Sequence, residues 1–478
     1  MTDRYNIIAI GGGAAGLVTS YVGAALKAKV ALIERHKMGG DCLNTGCVPS
    51  KAIIKTAKIM HFIKNHKTYG IKSATAELDF AAVMARVHQV IKEVEPHDSV
   101  ERYEKLGVEC IKGDAKIIDP FTVEVGGKRL KTRNIVLAIG ASPIVPPIPG
   151  LPVEKTLTSE TLWNLKELPR RLVVLGGGPI GSELAQAFAR IGSQVTQIEL
   201  GPRILPREEP DVATEIAHFL SKDGVNIMTS VQATAATVRN GEITLTLKRQ
   251  DGSTTELICD YVLSAVGRRA NTGGGDWKRL GIELNPNGTF KVDDFLRTTV
   301  PNIYACGDCV GPYQFTHMAS HQAGYCALNS LFSPLKKFRV DYRVVPWVTY
   351  TDPEVAHVGA TETGLREKNI PYDVTRYGLD DLDRAICESE AHGFVKILTR
   401  KGKPEILGTT IVGHSAGEFI SEFILAIKHR IGINGIFNTI HPYPTMSEAN
   451  RYATGVWRRE RAPALGLKFL TWFNSVRR

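Results

Sequence analysis

A chain of 478 residues, 43 % hydrophobic and 23 % charged, has room for roughly two to four domains with substantial cores. No apolar run is long enough to cross a bilayer, and eight cysteines at scattered spacing are not a disulfide framework. A small secreted scaffold and a membrane-spanning protein are thereby excluded, and a reducing, cytoplasmic setting is expected. The formal charge of +10 suits an acidic protein, anionic lipid or nucleic acid, but no nucleic-acid motif or concentrated basic stripe accompanies it. Diffuse charge for solubility is the simpler reading, and no nucleic-acid partner is expected.

Met1-Thr2-Asp3-Arg4 runs directly into the predicted strand Tyr5–Ile10, which leaves no room for a signal peptide. The glycine turn Gly11-Gly12-Gly13-Ala14-Ala15-Gly16 follows, then a helix, then the strand Lys29–Ile33 ending at Glu34. Gly11, Gly13 and Gly16 let backbone N–H groups approach a pyrophosphate at a helix start, and the Glu34 carboxylate is placed for ribose hydroxyls. Next comes Gly39-Gly40-Asp41-Cys42-Leu43-Asn44-Thr45-Gly46-Cys47-Val48-Pro49-Ser50-Lys51, before the apolar helical stretch Ala52–Ile63. Two thiols in that place can close into a disulfide, open, and exchange electrons with a flat redox cofactor held nearby. A structural zinc site would use tighter spacing and a second ligand pair, so the stretch reads as a redox-active disulfide and no metal site is expected.

Ile135–Gly140 closes this segment, with Gly140 at its turn, and the proline-rich run Pro143–Pro152 crosses to an echo of the start. There Leu172–Leu175 leads into Gly176-Gly177-Gly178-Pro179-Ile180-Gly181, a helix, and the strand Gln194–Ile198 ending at Glu199. Glu199 follows Gly176 at the spacing at which Glu34 follows Gly11. One such turn is a weak signal; two in register, with Gly176, Gly178 and Gly181 repeating the first set, are strong. Glu199 accepts from a ribose 2′-OH and repels a 2′-phosphate, which favours NAD(H); Arg203 is read as a surface residue rather than a 2′-phosphate partner. Tyr261–Val266 with Gly267-Arg268-Arg269 closes the second fold. Ile303–Asp308 looks like a strand running into a flavin-contacting turn, with Asp308 suited to a ribityl hydroxyl. Cys306 and Cys309 form a CxxC without a partner pair, and packing explains them better than redox or metal chemistry.

The paired cysteines, the two dinucleotide turns and the Ala-x-Gly-Asp turn, in that order, resemble the FAD-containing pyridine nucleotide–disulfide oxidoreductases over essentially the whole chain. That family includes dihydrolipoamide dehydrogenase, glutathione reductase and mercuric reductase. The resemblance implies an α/β architecture: two Rossmann-like domains, binding FAD and NAD(P), and a C-terminal α+β interface domain that builds a homodimer. The expected boundaries are 1–148 and 271–342 for the FAD and central parts, 149–270 for NAD(P), and 343–478 for the interface, opening near Val345–Glu354. It further implies Cys42 as the outer, substrate-exchanging thiol and Cys47 as the thiolate facing the flavin. Lys51 is expected near the flavin N5 edge, paired with Glu183.

The family's disulfide reductases carry His-Pro-Thr-x-x-Glu near the C-terminus, its His the base for a substrate thiol of pKa about 8.5. Here the run is His441-Pro442-Tyr443-Pro444-Thr445-Met446-Ser447-Glu448. Tyr443 takes the base position, and His441 lies two residues upstream. A phenol of pKa about 10 is a proton donor or soft-metal contact rather than a base. That substitution, with Leu184–Arg190 and Leu379–Ala385, is similar to the mercuric reductase branch. Mercuric reductases deliver the metal with a C-terminal cysteine pair, whereas this chain has no cysteine after Cys387. The expected function is therefore electron transfer from NAD(H) through FAD and Cys42–Cys47 to an acceptor at the dimer interface, mercuric-reductase-like. The alternative is a dihydrolipoyl dehydrogenase acting on a lipoyl carrier with His441 or water moving the proton, and the lesser one a slow flavin redox sensor. The tail Trp457–Arg478 holds six Lys/Arg against one acid, with Leu465, Phe469, Trp472, Phe473 and Val476 at helical spacing. It suits packing on the partner subunit or peripheral contact with an anionic membrane, and packing is the simpler expectation.

Overall fold

Short apolar runs such as Val30–Glu34 and Arg171–Leu175, shielded at all but one position, become interior strands in the parallel parts of two sheets, the first of which also carries the antiparallel strands Thr122–Val125 and Lys116–Asp119. They belong to a computed structural model that describes residues 4–478. The segment Met1–Asp3, read as leading into the first strand, lies outside the described residues. The chain divides into one unit of Met1–Pro202 with Gly224–Asp341, and another of Arg203–Asp223 with Tyr342–Arg478.

In the first unit a seven-stranded sheet runs Val108–Lys112, Val30–Glu34, Arg4–Ile10, Lys128–Leu137, Thr122–Val125, Lys116–Asp119, and Ile303–Ala305 also pairs with Lys128–Leu137. Ile7 pairs in register with Val30, and Ile135 with both Ile8 and Ile303, all parallel. The segment near residue 303 thus returns to the sheet begun at residue 4. The second sheet, all parallel, runs Asn226–Thr229, Gln194–Glu199, Arg171–Leu175, Tyr261–Ser264, Thr156–Leu157. A three-stranded antiparallel sheet, Val231–Arg239, Glu242–Arg249 and Thr254–Cys259, covers one side of its core, where Val173, Ile198, Leu245 and Val262 meet. The antiparallel pair Ala141–Pro143 and Arg268–Ala270 sets the position of Arg268.

The second unit is α+β. Its antiparallel sheet runs Pro346–Thr349, Glu354–Gly359, Ile406–Gly413, Phe394–Arg400, Tyr372–Gly378. The helices Ser421–Lys428 and Glu448–Glu460 bury Phe423, Ala449, Ala453 and Trp457 against Ile397 and Ile411. Helix Pro210–Lys222 belongs to this unit, and Lys396, its side chain 4 % exposed, donates from Nζ to Asp211 at 2.8 Å and to Glu362 at 3.2 Å. Burying that ammonium is tolerable because two carboxylates receive it.

Candidate active site

The sequence places a helix after the cysteines; the structure starts it on them. Cys42 lies in the short helix Gly40–Asn44, and Cys47 is the first residue of Cys47–Lys64. Nothing in that first turn is acidic, so the open N–H groups and positive end of the helix favour a thiolate on Cys47. Its pKa is lowered to about 6, chiefly by the hydrogen bond from Cys42, then by Thr316 and the Lys51 charge, against the opposing effect of burial. Thr316 Oγ1 lies 3.6 Å from the sulfur. Cys42 moves the other way: its hydrogen bond to Cys47, burial and the neighbouring negative charge hold it far above the usual thiol range. Both cysteines are described as free thiols. One is a ready nucleophile and the other keeps its proton.

One turn along the same helix, Lys51 Nζ donates to Glu183 Oε2 at 2.7 Å, and the Glu183 side chain is 8 % exposed. Glu183 sits near the start of helix Pro179–Arg190, so the second dinucleotide turn and the thiol helix meet at this pair. Arg268 bonds to the Asp41 carboxylate and has Nε 3.7 Å from Asp308 Oδ2. Burial pushes the Asp308 carboxyl up while Arg268 opposes it. Arg268, read from sequence only as part of a domain-closing run, thus ties the segment before Cys42 to the turn at Asp308.

Both glycine turns have the geometry a pyrophosphate needs. A Cβ on Gly11 (φ +109°) would lie 2.3 Å from the Ala138 carbonyl oxygen, and one on Gly16 1.8 Å from that of Gly11. Gly176 and Gly181 repeat this, with clashes of 2.4 Å and 2.2 Å. Gly13 and Gly178 precede the helices Ala14–Ala25 and Pro179–Arg190 without side-chain caps, leaving N–H groups directed to an anion. Glu34 accepts from Gly12 N at 2.5 Å, and Glu199 accepts from Gly177 N at 2.6 Å and Gly201 N at 2.6 Å. These bonds hold each carboxylate at its strand end. Gly140, with φ +64° and no atom within 4 Å of an added Cβ, leaves open space at the end of Lys128–Leu137. The residues present at each turn fit the pyrophosphate and ribose of a dinucleotide.

Cys306 and Cys309 are fully buried, Cys309 Sγ donating to the Cys306 carbonyl at 3.2 Å, and burial holds the Cys309 thiol well above its usual range. They pack, as sequence favours, with Cys326 beside them as a third buried thiol.

In the second unit Tyr443, 68 % exposed, donates to Asp383 Oδ2 at 2.9 Å. That bond, with the Asp383 charge, raises the phenol's pKa, and Glu448 and Cys387 add to the effect. Glu448 does not partner Tyr443; it caps Thr445 N at 3.2 Å and accepts from Tyr452 at 3.4 Å. His441 lies 3.0 Å from Glu422 Oε1, its side chain 6 % exposed, and Asn450 holds the same carboxylate at 2.9 Å. Thus the stretch separates into Tyr443–Asp383 and His441–Glu422. Thr316 and Glu422 carry no motif that sequence reasoning could have used, and Asp383 lies within Leu379–Ala385, a run noted in the sequence without a role for that residue. No metal site was expected from sequence; among the described residues Asp352, Glu390 and His414 bring ligand atoms within 4.8 Å of one another.

Residues 5–323 match the family model of the pyridine nucleotide-disulphide oxidoreductases, and 345–454 match that family's dimerisation domain. The chain belongs to this family. Among family relatives it is 34 % identical to mercuric reductase from Lysinibacillus sphaericus over 452 residues, covering 94 % of this chain and 82 % of the relative. It is 33 % identical to dihydrolipoyl dehydrogenase from Chlamydia muridarum over 456 residues, covering 94 % and 96 %. Of solved structures, LpdA from Mycobacterium tuberculosis superposes with a TM-score of 0.86 at 26 % identity, covering 94 % and 99 %. The Cu(II) complex of the HOCl-induced flavoprotein disulfide reductase RclA from Escherichia coli gives 0.83 at 27 %, covering 95 % and 99 %. As a pyridine nucleotide-disulphide oxidoreductase the chain is an FAD-dependent enzyme that uses a pyridine nucleotide, and it carries the domain through which the family dimerises. No helix among the described residues is long and apolar enough to cross a membrane.

Proposed function

We propose that this enzyme takes electrons from NADH and passes them through FAD and the Cys42–Cys47 pair to a thiophilic metal ion at the dimer interface, in the manner of mercuric reductase. Bound FAD would supply the two-electron relay between nicotinamide and the cysteine pair. The observation that carries the reading is Tyr443, a phenol kept protonated by Asp383 where a dithiol-exchanging enzyme needs a base. His441, the alternative base, is held by Glu422 and largely shielded. A Cys47 thiolate and a protonated Cys42 give two soft sulfur ligands, and binding a divalent ion releases the Cys42 proton. Re-forming the S–S bond releases two electrons, taken up by one Hg(II) to give Hg(0) or by two Cu(II) to give two Cu(I). Mercury is the ion indicated by the mercuric reductase relatives, and the Cu(II) complex of RclA adds copper to the class. Glu199 supports NADH over NADPH.

The second reading, a dihydrolipoyl dehydrogenase acting on a lipoyl carrier, draws on the comparable identity to the chlamydial enzyme. One set of rates with purified, FAD-loaded enzyme separates the two. The expected result is NADH oxidation driven by Hg²⁺, NAD⁺ reduction by dihydrolipoamide near background, and a gain in the latter with Tyr443→His. Dihydrolipoamide turnover of about 10 per second or more in the unaltered enzyme would overturn the metal reading. A strong NADPH preference in kcat/KM would overturn the role given to Glu199.

A further inference from the structure

Beyond Arg461-Ala462-Pro463 the chain forms a last helix, Ala464–Val476, in which no residue is buried. Leu465, Phe469, Trp472, Phe473 and Val476 recur at i, i+4, i+7, i+8 and i+11, an apolar stripe that holds all three aromatic residues of the helix. Leu465 is 82 % exposed, Phe469 58 %, Trp472 59 % and Val476 67 %. Lys468, Thr471 and Ser475 recur along one flank of that stripe, and Leu467 and Leu470, 52 % and 49 % exposed, lie across the helix from it. Isolated exposed apolar residues are ordinary; a helix presenting two phenylalanines and a tryptophan in one row is not.

We propose that this helix docks the enzyme on an anionic lipid bilayer. Three observations select that occupant. The matched dimerisation domain ends at residue 454, so the helix lies outside the part of the chain the family model uses for subunit pairing. The stretch Trp457–Arg478 carries six basic residues and one acid, complementary to anionic headgroups. Two of those bases are engaged at the root of the tail, Arg458 over the Phe437 ring at 4.2 Å and Arg461 with Asp373 at 3.3 Å. Arg459, Lys468, Arg477 and Arg478 remain exposed on or beside the helix. Thirteen residues at about 1.5 Å each reach about 20 Å, short of the roughly 30 Å hydrocarbon thickness. The helix therefore lies in the interface, its aromatic row in the acyl boundary and Lys468 and Arg478 toward the headgroups. The inference does not depend on which acceptor the enzyme reduces.

The test uses full-length, FAD-loaded enzyme sedimented with vesicles of 70 % phosphatidylcholine and 30 % phosphatidylglycerol at low salt. Binding at least about tenfold stronger than to pure phosphatidylcholine is expected, weakening as salt rises. The double variant Phe469→Glu, Trp472→Glu should lose it while remaining a dimer by size exclusion and keeping the rate at which NADH reduces the bound flavin. Failure of the unaltered enzyme to sediment with anionic vesicles would overturn the proposal, as would equal binding by the variant. Conversion of the variant to monomer would also overturn it, assigning the helix to a second copy of the chain.

Discussion

A helix that begins on Cys47 presents that sulfur with backbone N–H groups that have no partner in the helix, while Lys51 sits one turn further on. Five residues earlier Cys42 has the opposite proton affinity, because the pair shares one hydrogen bond and one charge. With its pKa near 6, Cys47 is a thiolate above that pH and loses reactivity as pH falls through it, whereas an ordinary thiol turns on near 9. In the dithiol-reduced, FAD-loaded enzyme, the rate of iodoacetamide alkylation at Cys47 should rise with a midpoint near pH 6. Lys51→Met should move the midpoint upward, since the lysine charge favours the thiolate. An unchanged midpoint would eliminate the electrostatic role of Lys51. The cysteines were legible in the sequence because glycine, asparagine and proline around two thiols have no packing rationale. Thr316 was not, because a hydroxyl 269 positions away obeys no spacing rule and becomes a partner only after folding.

Elements were legible in proportion to how much the backbone demanded of the sequence. Each glycine turn is forced by carbonyl contacts a side chain would violate, and each buried parallel strand by continuous apolar residues, so both could be located within a residue or two. Polar pairs between elements were not. In the second unit Trp347 donates to Glu208 Oε1 at 2.6 Å and stacks on His357 with ring centroids 4.2 Å apart. Burial raises the Glu208 carboxyl to about 7 and lowers the His357 imidazole to about 4. Between pH 4.5 and 7 the folded state retains a Glu208 proton that the unfolded chain has released, so this group makes stability fall as pH rises. Between pH 4 and 6.5 the unfolded chain binds a proton that buried His357 refuses, so this group makes stability rise with pH. Each effect is on the order of 3 kcal/mol across its window, and the two oppose one another. Glu208→Gln should therefore make denaturation midpoints climb more steeply from pH 5 to 6.5 than in the unaltered chain, and His357→Gln should make them decline. Parallel profiles for all three proteins would show that these groups are not titrating as described.

At the scale of the molecule, the two-turn echo and the family resemblance together specified two Rossmann-like sheets and an α+β unit, while the acceptor was beyond their reach. Tyr443 and Asp383, to which the proposed function gives the choice of acceptor, come from separate segments of the second unit. If the acceptor site forms at an isologous interface, Cys42 of one subunit works with Tyr443 of the other. Co-expressing a Cys42→Ser chain with a Tyr443→Ala chain should then recover about a quarter of wild-type NADH-dependent metal reduction, since half the dimers are mixed and each has one intact site. Activity no higher than the average of the two homodimers would place both residues' contributions within one subunit.

In the proposed relay the unequal thiols also govern how the Cys42–Cys47 electron store responds to acidity. A pair that ends as one thiolate and one thiol stores two electrons with a single proton. Above pH 6 its midpoint potential then falls by about 30 mV per pH unit, half the slope of a couple that takes up two protons. An alkaline excursion that makes ordinary dithiols more strongly reducing would alter this one only half as much. The driving force available to the acceptor is buffered by a hydrogen bond between two sulfurs.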